Sequence, residues 1–237
     1  MTDRRSASRR PSPPTGPAWF RLLLPVVSAA AFALLAWFVL AGHGVPHSLD
    51  TGPHRWSVAH RPHAMATTAR IVTDSGTGPF PPLAAALGGW LAGSTVRHRV
   101  AGALLAAAVL LAGQAVRMVL MLTLHRSRPP AADWAAFASG HAFPSGHTSS
   151  SALAAGLLAW GLLRALGPAA GRVAAASCVL IAVAVGCTRV YLGVHWPTDV
   201  LGGWLFAACW LSATLPLLTA YANAGPPAPG RPTCVAP

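Results

Sequence analysis

Residues 173–199, VAAASCVLIAVAVGCTRVYLGVHWPTD, carry the decisive pattern in this chain. The apolar run over 173–192 is long enough to cross a bilayer, which takes about 20 helical residues. At its end stand Thr188 and Arg189, then His195 after five residues and Asp199 after three more. An ionisable side chain beside a span costs about 3 kcal/mol or more to bury, so such a cluster points to chemistry rather than packing.

The same arrangement recurs upstream. Pro144-Ser145-Gly146-His147 opens an apolar run over 149–166, and Arg128-Pro129 follows the run over 100–124. Further runs at 20–41, 80–96 and 200–221 bring the expected spans to six. The expected fold is therefore all-α: a polytopic membrane helix bundle with six transmembrane helices and its active site at the external face. Residues 1–18 (Arg-, Ser- and Pro-rich) and 222–237 (Pro- and Gly-rich) read as disordered tails around a membrane domain over 19–221. Between the first two runs, 42–78 reads as a polar loop holding one short interfacial helix around 58–72. Gly89 and Gly93 form a small-xxx-small pair suited to close helix packing.

Composition agrees. The chain has 237 residues, 54% of them hydrophobic and 9% charged, against roughly a quarter charged in soluble domains. Its basic residues are all arginine and its five acids all aspartate. The net charge of +12 is scattered among apolar runs rather than gathered in a stripe, which argues for membrane orientation and against a nucleic-acid partner. Cys178, Cys187 and Cys209 lie in apolar runs and Cys234 in the tail, with no paired spacing; the three read as small buried hydrophobes. The short turns Arg97-His98-Arg99 and Arg164 to Arg172 are basic, which puts them and the N-terminus inside the cell. The 125–148 loop and the 189–199 turn then share the external face and can form one site.

Phosphoryl transfer needs a nucleophile, a proton donor for the leaving oxygen, and positive charge around the phosphate oxygens. His195 is the candidate nucleophile, with Asp199 one helical turn on to fix its tautomer. His147 is the candidate acid. Ser145 stands at the helix start as N-cap or phosphate ligand, and Gly146 admits an oxyanion to the free amides there. Arg128 and Arg189 offer forks to phosphate oxygens.

These strings resemble the signature of the type 2 phosphatidic acid phosphatase superfamily, which includes membrane lipid phosphatases (undecaprenyl-diphosphate phosphatases among them), soluble acid phosphatases and vanadate-dependent haloperoxidases. Its first part is a lysine, six residues, then Arg-Pro. Pro-Ser-Gly-His is the second, and the third is Ser-Arg, five residues, His, three residues, Asp. Arg128-Pro129, Pro144 to His147, and Arg189, His195 and Asp199 match; Thr188 replaces the serine, and Met121 stands where the lysine belongs. The resemblance implies metal-independent hydrolysis of a lipid phosphate or diphosphate through a phosphohistidine at His195. Asp199 would orient it, His147 would act as general acid, and Arg128, Ser145, Gly146 and Arg189 would bind phosphate. It implies no cofactor and no metal. The expected partners are a membrane lipid substrate, the bilayer and a second copy of the chain, in the plasma membrane of a bacterium. A transferase of the same fold and a weakly catalytic lipid-binding or transport protein are the alternatives.

Met121 invites a replacement for the lost charge. Positions 117, 121, 125 and 128 share one helical stripe, so His125 and, from deeper, Arg117 are candidates, and lysine at position 121 is expected to preserve or raise activity. Arg126 lies off that stripe and reads as a solvated or headgroup contact. His141, His43, His47, His54, His60 and His63 read as solvated loop histidines, and Trp19, Trp134, Trp196 and Trp204 as an interfacial belt.

Overall fold

The computed structural model describes residues 18–41 and 46–224, with side chains from residue 23 onward. Among these residues it contains eight α-helices, one 3-10 turn and no strand. The helices are α1 (Ala18–Ala41), α2 (Ser48–Ala59), α3 (His63–Asp74), α4 (Phe80–Ala92), α5 (Val96–Leu124), α6 (Gly146–Ala165), α7 (Pro168–Tyr191) and α8 (Pro197–Asn223), with the 3-10 turn at Ala131–Asp133. Residues 1–17 and 225–237, which hold most of both expected tails, and His43 and Cys234 fall outside the described residues, as does the side chain of Trp19.

Several helices begin earlier than their apolar runs, because the first turn is built from capping residues. Thr95 caps α5 by accepting the His98 N–H, and Pro168 and Pro197 occupy the first positions of α7 and α8, where proline loses no helical hydrogen bond. The single helix expected over 58–72 is instead the end of α2 and most of α3. Pro62 caps α3 and holds the residue before it out of helical geometry.

Four helices are long and apolar enough to cross a membrane: α1 from Leu23, α5, α7 and α8. With 13 residues, α4 reaches only roughly 20 Å against a hydrocarbon core of about 30 Å. The first turn of α6, Gly146 to Ser149, is polar.

The bundle is organised around α6, which packs on α4, α5, α7 and α8. Leu153, Ala154 and Leu157 of α6 meet Ala85 of α4, Ala106 and Leu110 of α5, and Phe206 and Ala207 of α8 in a fully buried cluster. The expectation for Gly89 holds: its α-carbon lies so near the Gly102 carbonyl of α5 that a side chain there would collide with backbone. Outward faces are apolar: Leu34 and Trp37 of α1 and Val173 and Leu180 of α7 are each more than 65% exposed. Cys178 is buried, whereas Cys187 faces outward on α7, contrary to the reading of both as buried. Ionisable groups are found inside instead, which is the inverse of a soluble protein.

Candidate active site

The two chemical strings meet. Arg189 leaves the last turn of α7, and Gly193, at φ +74, turns the chain sharply into Val194 and His195. Pro197 then starts α8 and places Asp199 in its first turn. There the carboxylate caps the helix by accepting the Trp196 N–H at 2.9 Å on Oδ2. The same oxygen lies 3.3 Å from His195 Nδ1, so His195 presents Nε2 on the other side of its ring.

That nitrogen faces a cavity of about 660 Å³ lined by Arg117, Met121, Arg128, Gly146, His147, Arg189 and His195, among others. Arg128 donates Nη1 to His195 Nε2 at 2.9 Å and is braced by the carbonyls of Ser139, Gly140, His141 and Val194. These contacts engage all five of its N–H groups and fix the plane of the guanidinium, so the Nη1 donor now on His195 is the one an oxyanion would take over. Arg189 is buried, gives Nη1 to Thr73 Oγ1 at 3.2 Å, and has no partner for Nε. Burial, and then the Arg128 and Arg189 guanidiniums, hold the His195 imidazole well below its ordinary pKa. Its ring is therefore neutral around neutral pH, with the Nε2 lone pair accepting from Arg128.

Of the residues the sequence singled out, His147, Gly146, Arg128, Arg189, His195 and Arg117 line this cavity. Ser145 does not: it is fully buried at the N-cap position, and its Oγ accepts from Thr148 Oγ1 at 3.0 Å. His125 also departs from expectation. Helix α5 stops at Leu124, and His125 takes a left-handed conformation at φ 46 that swings it off the stripe. It lies exposed against the His141 ring. Arg117 bends back instead. A β-carbon on Gly146 would lie 3.3 Å from its Nη1, so the guanidinium rests over the start of α6. Its remaining contacts are two thioethers, Met121 Sδ at 3.4 Å and Met118 Sδ at 3.8 Å, and Nε has no partner.

Three readings are corrected outright. Arg126 is neither solvated nor a headgroup contact; it is 2% exposed and pairs with both Asp50 and Asp199. His54 is buried and pairs with Asp133 at 2.9 Å, because α2 packs on α7 and α8. Trp196 is buried in the site wall, donating to the Ser127 carbonyl at 3.0 Å, rather than sitting in an interfacial belt. Asp50 was missed altogether. Its signal was scarcity, since a chain with five acids has little reason to carry one that is not used. Among the described residues, no three His, Cys, Asp or Glu side chains are grouped as a metal ion would need.

The sequence model of the PAP2 superfamily matches residues 26–221. An undecaprenyl-diphosphatase of Sulfolobus acidocaldarius is 53% identical over 34 residues, which is 14% of this chain and only 16% of that protein. The crystal structure of a transmembrane PAP2-type phosphatidylglycerolphosphate phosphatase from Bacillus subtilis aligns with a TM-score of 0.69 at 25% identity, covering 82% of this chain and 95% of that one. The lipid-facing helices and the likeness to a membrane enzyme make this a membrane protein with a phosphatase fold. By a match over most of its length, the chain belongs to the PAP2 superfamily.

Proposed function

We propose that the protein hydrolyses a lipid phosphate or diphosphate through a phosphohistidine at His195, at the external face of the plasma membrane. The observation that carries this reading is the ring of His195. One nitrogen is held by Asp199, and the other points into a cavity whose walls are guanidiniums and the start of a helix. A phosphate entering there displaces the Arg128 contact from Nε2 and takes its place between Arg128 and Arg189. Arg117 completes the cradle in place of the lysine absent at position 121. Gly146 leaves the amides at the start of α6 open to a phosphate oxygen.

Attack by Nε2 breaks the bond to the leaving oxygen, and His147, which lines the same cavity, supplies its proton. Water then releases the phosphate, with His147 taking the water's proton. Ser145 acts on this reading from behind the wall, fixing the first turn of α6. The arginine distribution favours six spans, with α4 and α6 completing the four longer ones, and an external site. In the same reading, an isoprenoid diphosphate such as undecaprenyl diphosphate is the preferred substrate, ahead of phosphatidic acid or phosphatidylglycerol phosphate. The phosphate can reach the cavity while the tail stays in lipid.

The test is phosphate release by purified protein from a panel of lipid mono- and diphosphates, with protein quenched in alkaline denaturant assayed for alkali-stable, acid-labile phosphate on histidine. Release without any labelled histidine would overturn the covalent route. Transfer to an added alcohol in preference to water would favour a transferase.

A further inference from the structure

Behind the reacting histidine lies a second layer of charge that direct contact with substrate does not explain. Asp199 is fully buried and divides its oxygens: Oδ2 serves Trp196 and His195, and Oδ1 is taken by Nη1 of Arg126. Arg126 also gives Nη2 to Asp50 Oδ2 at 2.6 Å and Nη1 to Thr198 Oγ1 at 2.6 Å. Asp50, equally buried, accepts the Thr198 N–H at 3.0 Å and the Thr198 hydroxyl at 2.8 Å. These contacts join α2, the strand of chain between α5 and Arg128, and the first turn of α8 into one unit.

The charges do not cancel. Within this layer two carboxylates against one guanidinium leave one net negative charge, which Arg128, across the His195 ring, partly offsets before reaction. A simple clamp between helices would be better served by a neutral pair. His195 supplies the reason for the surplus. When its Nε2 lone pair forms the bond to phosphorus, the phosphorus–oxygen bond to the leaving group breaks and its electron pair goes to that oxygen. His195 keeps its Nδ1 proton, so its ring becomes a cation, and the net negative charge stands directly behind it.

Building on the phosphohistidine reading of this site, we propose that Asp50 and Arg126 are positioning residues that act through Asp199. Arg126 holds Oδ1 so that Oδ2 stays aimed at His195 Nδ1. Asp50 occupies the second arm of Arg126, so that Asp199 is not neutralised outright by a guanidinium of its own. Preorganised charge of this kind favours the state in which charge develops, so it acts on the rate of the chemical step rather than on substrate binding. Arg128, Arg189, Arg117 and His147 face the ring from the cavity side and are untouched by changes to this layer.

The experiment compares Asp50→Asn, Arg126→Lys and Arg126→Met with wild type for kcat, KM, thermal stability and the single-turnover rate of phosphohistidine formation. Asp50→Asn should lower kcat and the single-turnover rate by about tenfold to a hundredfold, the range found for outer partners that orient metal-ligating histidines, with KM little changed. Arg126→Lys should retain much of the rate that Arg126→Met loses. The effect of Asp50→Asn should largely vanish in an Asp199→Asn background, where the path to the ring is already cut. If Arg126→Met does not fold, the other two variants carry the test. A folded Asp50→Asn protein with wild-type kcat and single-turnover rate, or a loss of stability with no loss of kcat, would overturn this inference alone. Absence of any histidine-bound phosphate in active wild type would overturn the reading it rests on.

Discussion

Replacing Arg117 by methionine separates what this side chain does for the fold from what it does for the reaction. Among the described residues its guanidinium has no carboxylate partner; it touches two thioethers, and its Nε is buried without a hydrogen bond. A cation so placed costs desolvation and gains little, so Arg117→Met, which adds a third thioether beside Met118 and Met121, should leave thermal stability unchanged or raise it. The same guanidinium lies over Gly146 at the start of α6, so on the proposed reading it meets the phosphate oxyanion there. One hydrogen bond to a charged group is worth about 1.5–3 kcal/mol. At about 1.4 kcal/mol per factor of ten, its loss should lower kcat/KM by roughly 10- to 150-fold. Phosphate release in detergent micelles, measured beside thermal unfolding of the same preparation, reads both quantities. A variant with kcat/KM within twofold of wild type would refute the assignment.

The geometry also reverses the expectation for lysine at position 121. Arg117 already lies 3.4 Å from the Met121 sulfur, so Met121→Lys alone brings two cations together, at about 4 kcal/mol for 4 Å and an effective dielectric of 20. It should destabilise the wild-type protein and rescue activity only in the Arg117→Met background.

His195→Ala and His147→Ala should each abolish most phosphate release while leaving membrane insertion intact; near-normal turnover in His195→Ala would exclude it as nucleophile. Because burial and the neighbouring arginines keep the His195 imidazole below its ordinary pKa, protonation of this ring, which removes the nucleophile, should begin only at acid pH. The acid limb of kcat/KM that it controls should therefore lie below about 6.5, and a limb at or above that value that shifts in Arg128→Met but not in His147→Ala would contradict the assignment. Turnover should persist in EDTA and be inhibited by vanadate, whereas complete loss restored by one divalent ion would favour metal chemistry. In a cysteine-free background, Ser139→Cys should react with an impermeant thiol reagent in intact cells and Ser94→Cys should not; the opposite pattern would move the site to the inner face.

Much of the site was legible from spacing. His195 and Asp199 stand four residues apart across a helix start, so one turn of backbone brings them together without help from the rest of the fold. His147 and Gly146 follow from Pro144 and Ser145 at a helix start, and membrane-length apolar runs announce α1, α5, α7 and α8. Local signals of this kind depend on the period of a helix and the chemistry of its ends, both of which a linear sequence carries.

What only the tertiary structure decided depends on contacts between distant segments. Arg126 and Asp50 are 76 residues apart, and no periodicity links them; packing of α2 across the start of α8 brings them within hydrogen-bond reach. Which of Arg117 and His125 lines the cavity turned on a single left-handed residue that ends α5, a feature no helical stripe can anticipate. Ser145, read as N-cap or phosphate ligand, turned inward to Thr148 because the cavity wall forms on its other side. For Arg126, Arg117, His125 and Ser145 the sequence alone placed a polar residue near the chemistry, and for Asp50 it did not. Which way each pointed was set by packing around a low-dielectric interior, where an unpartnered charge is costly and the available partners come from elsewhere in the chain.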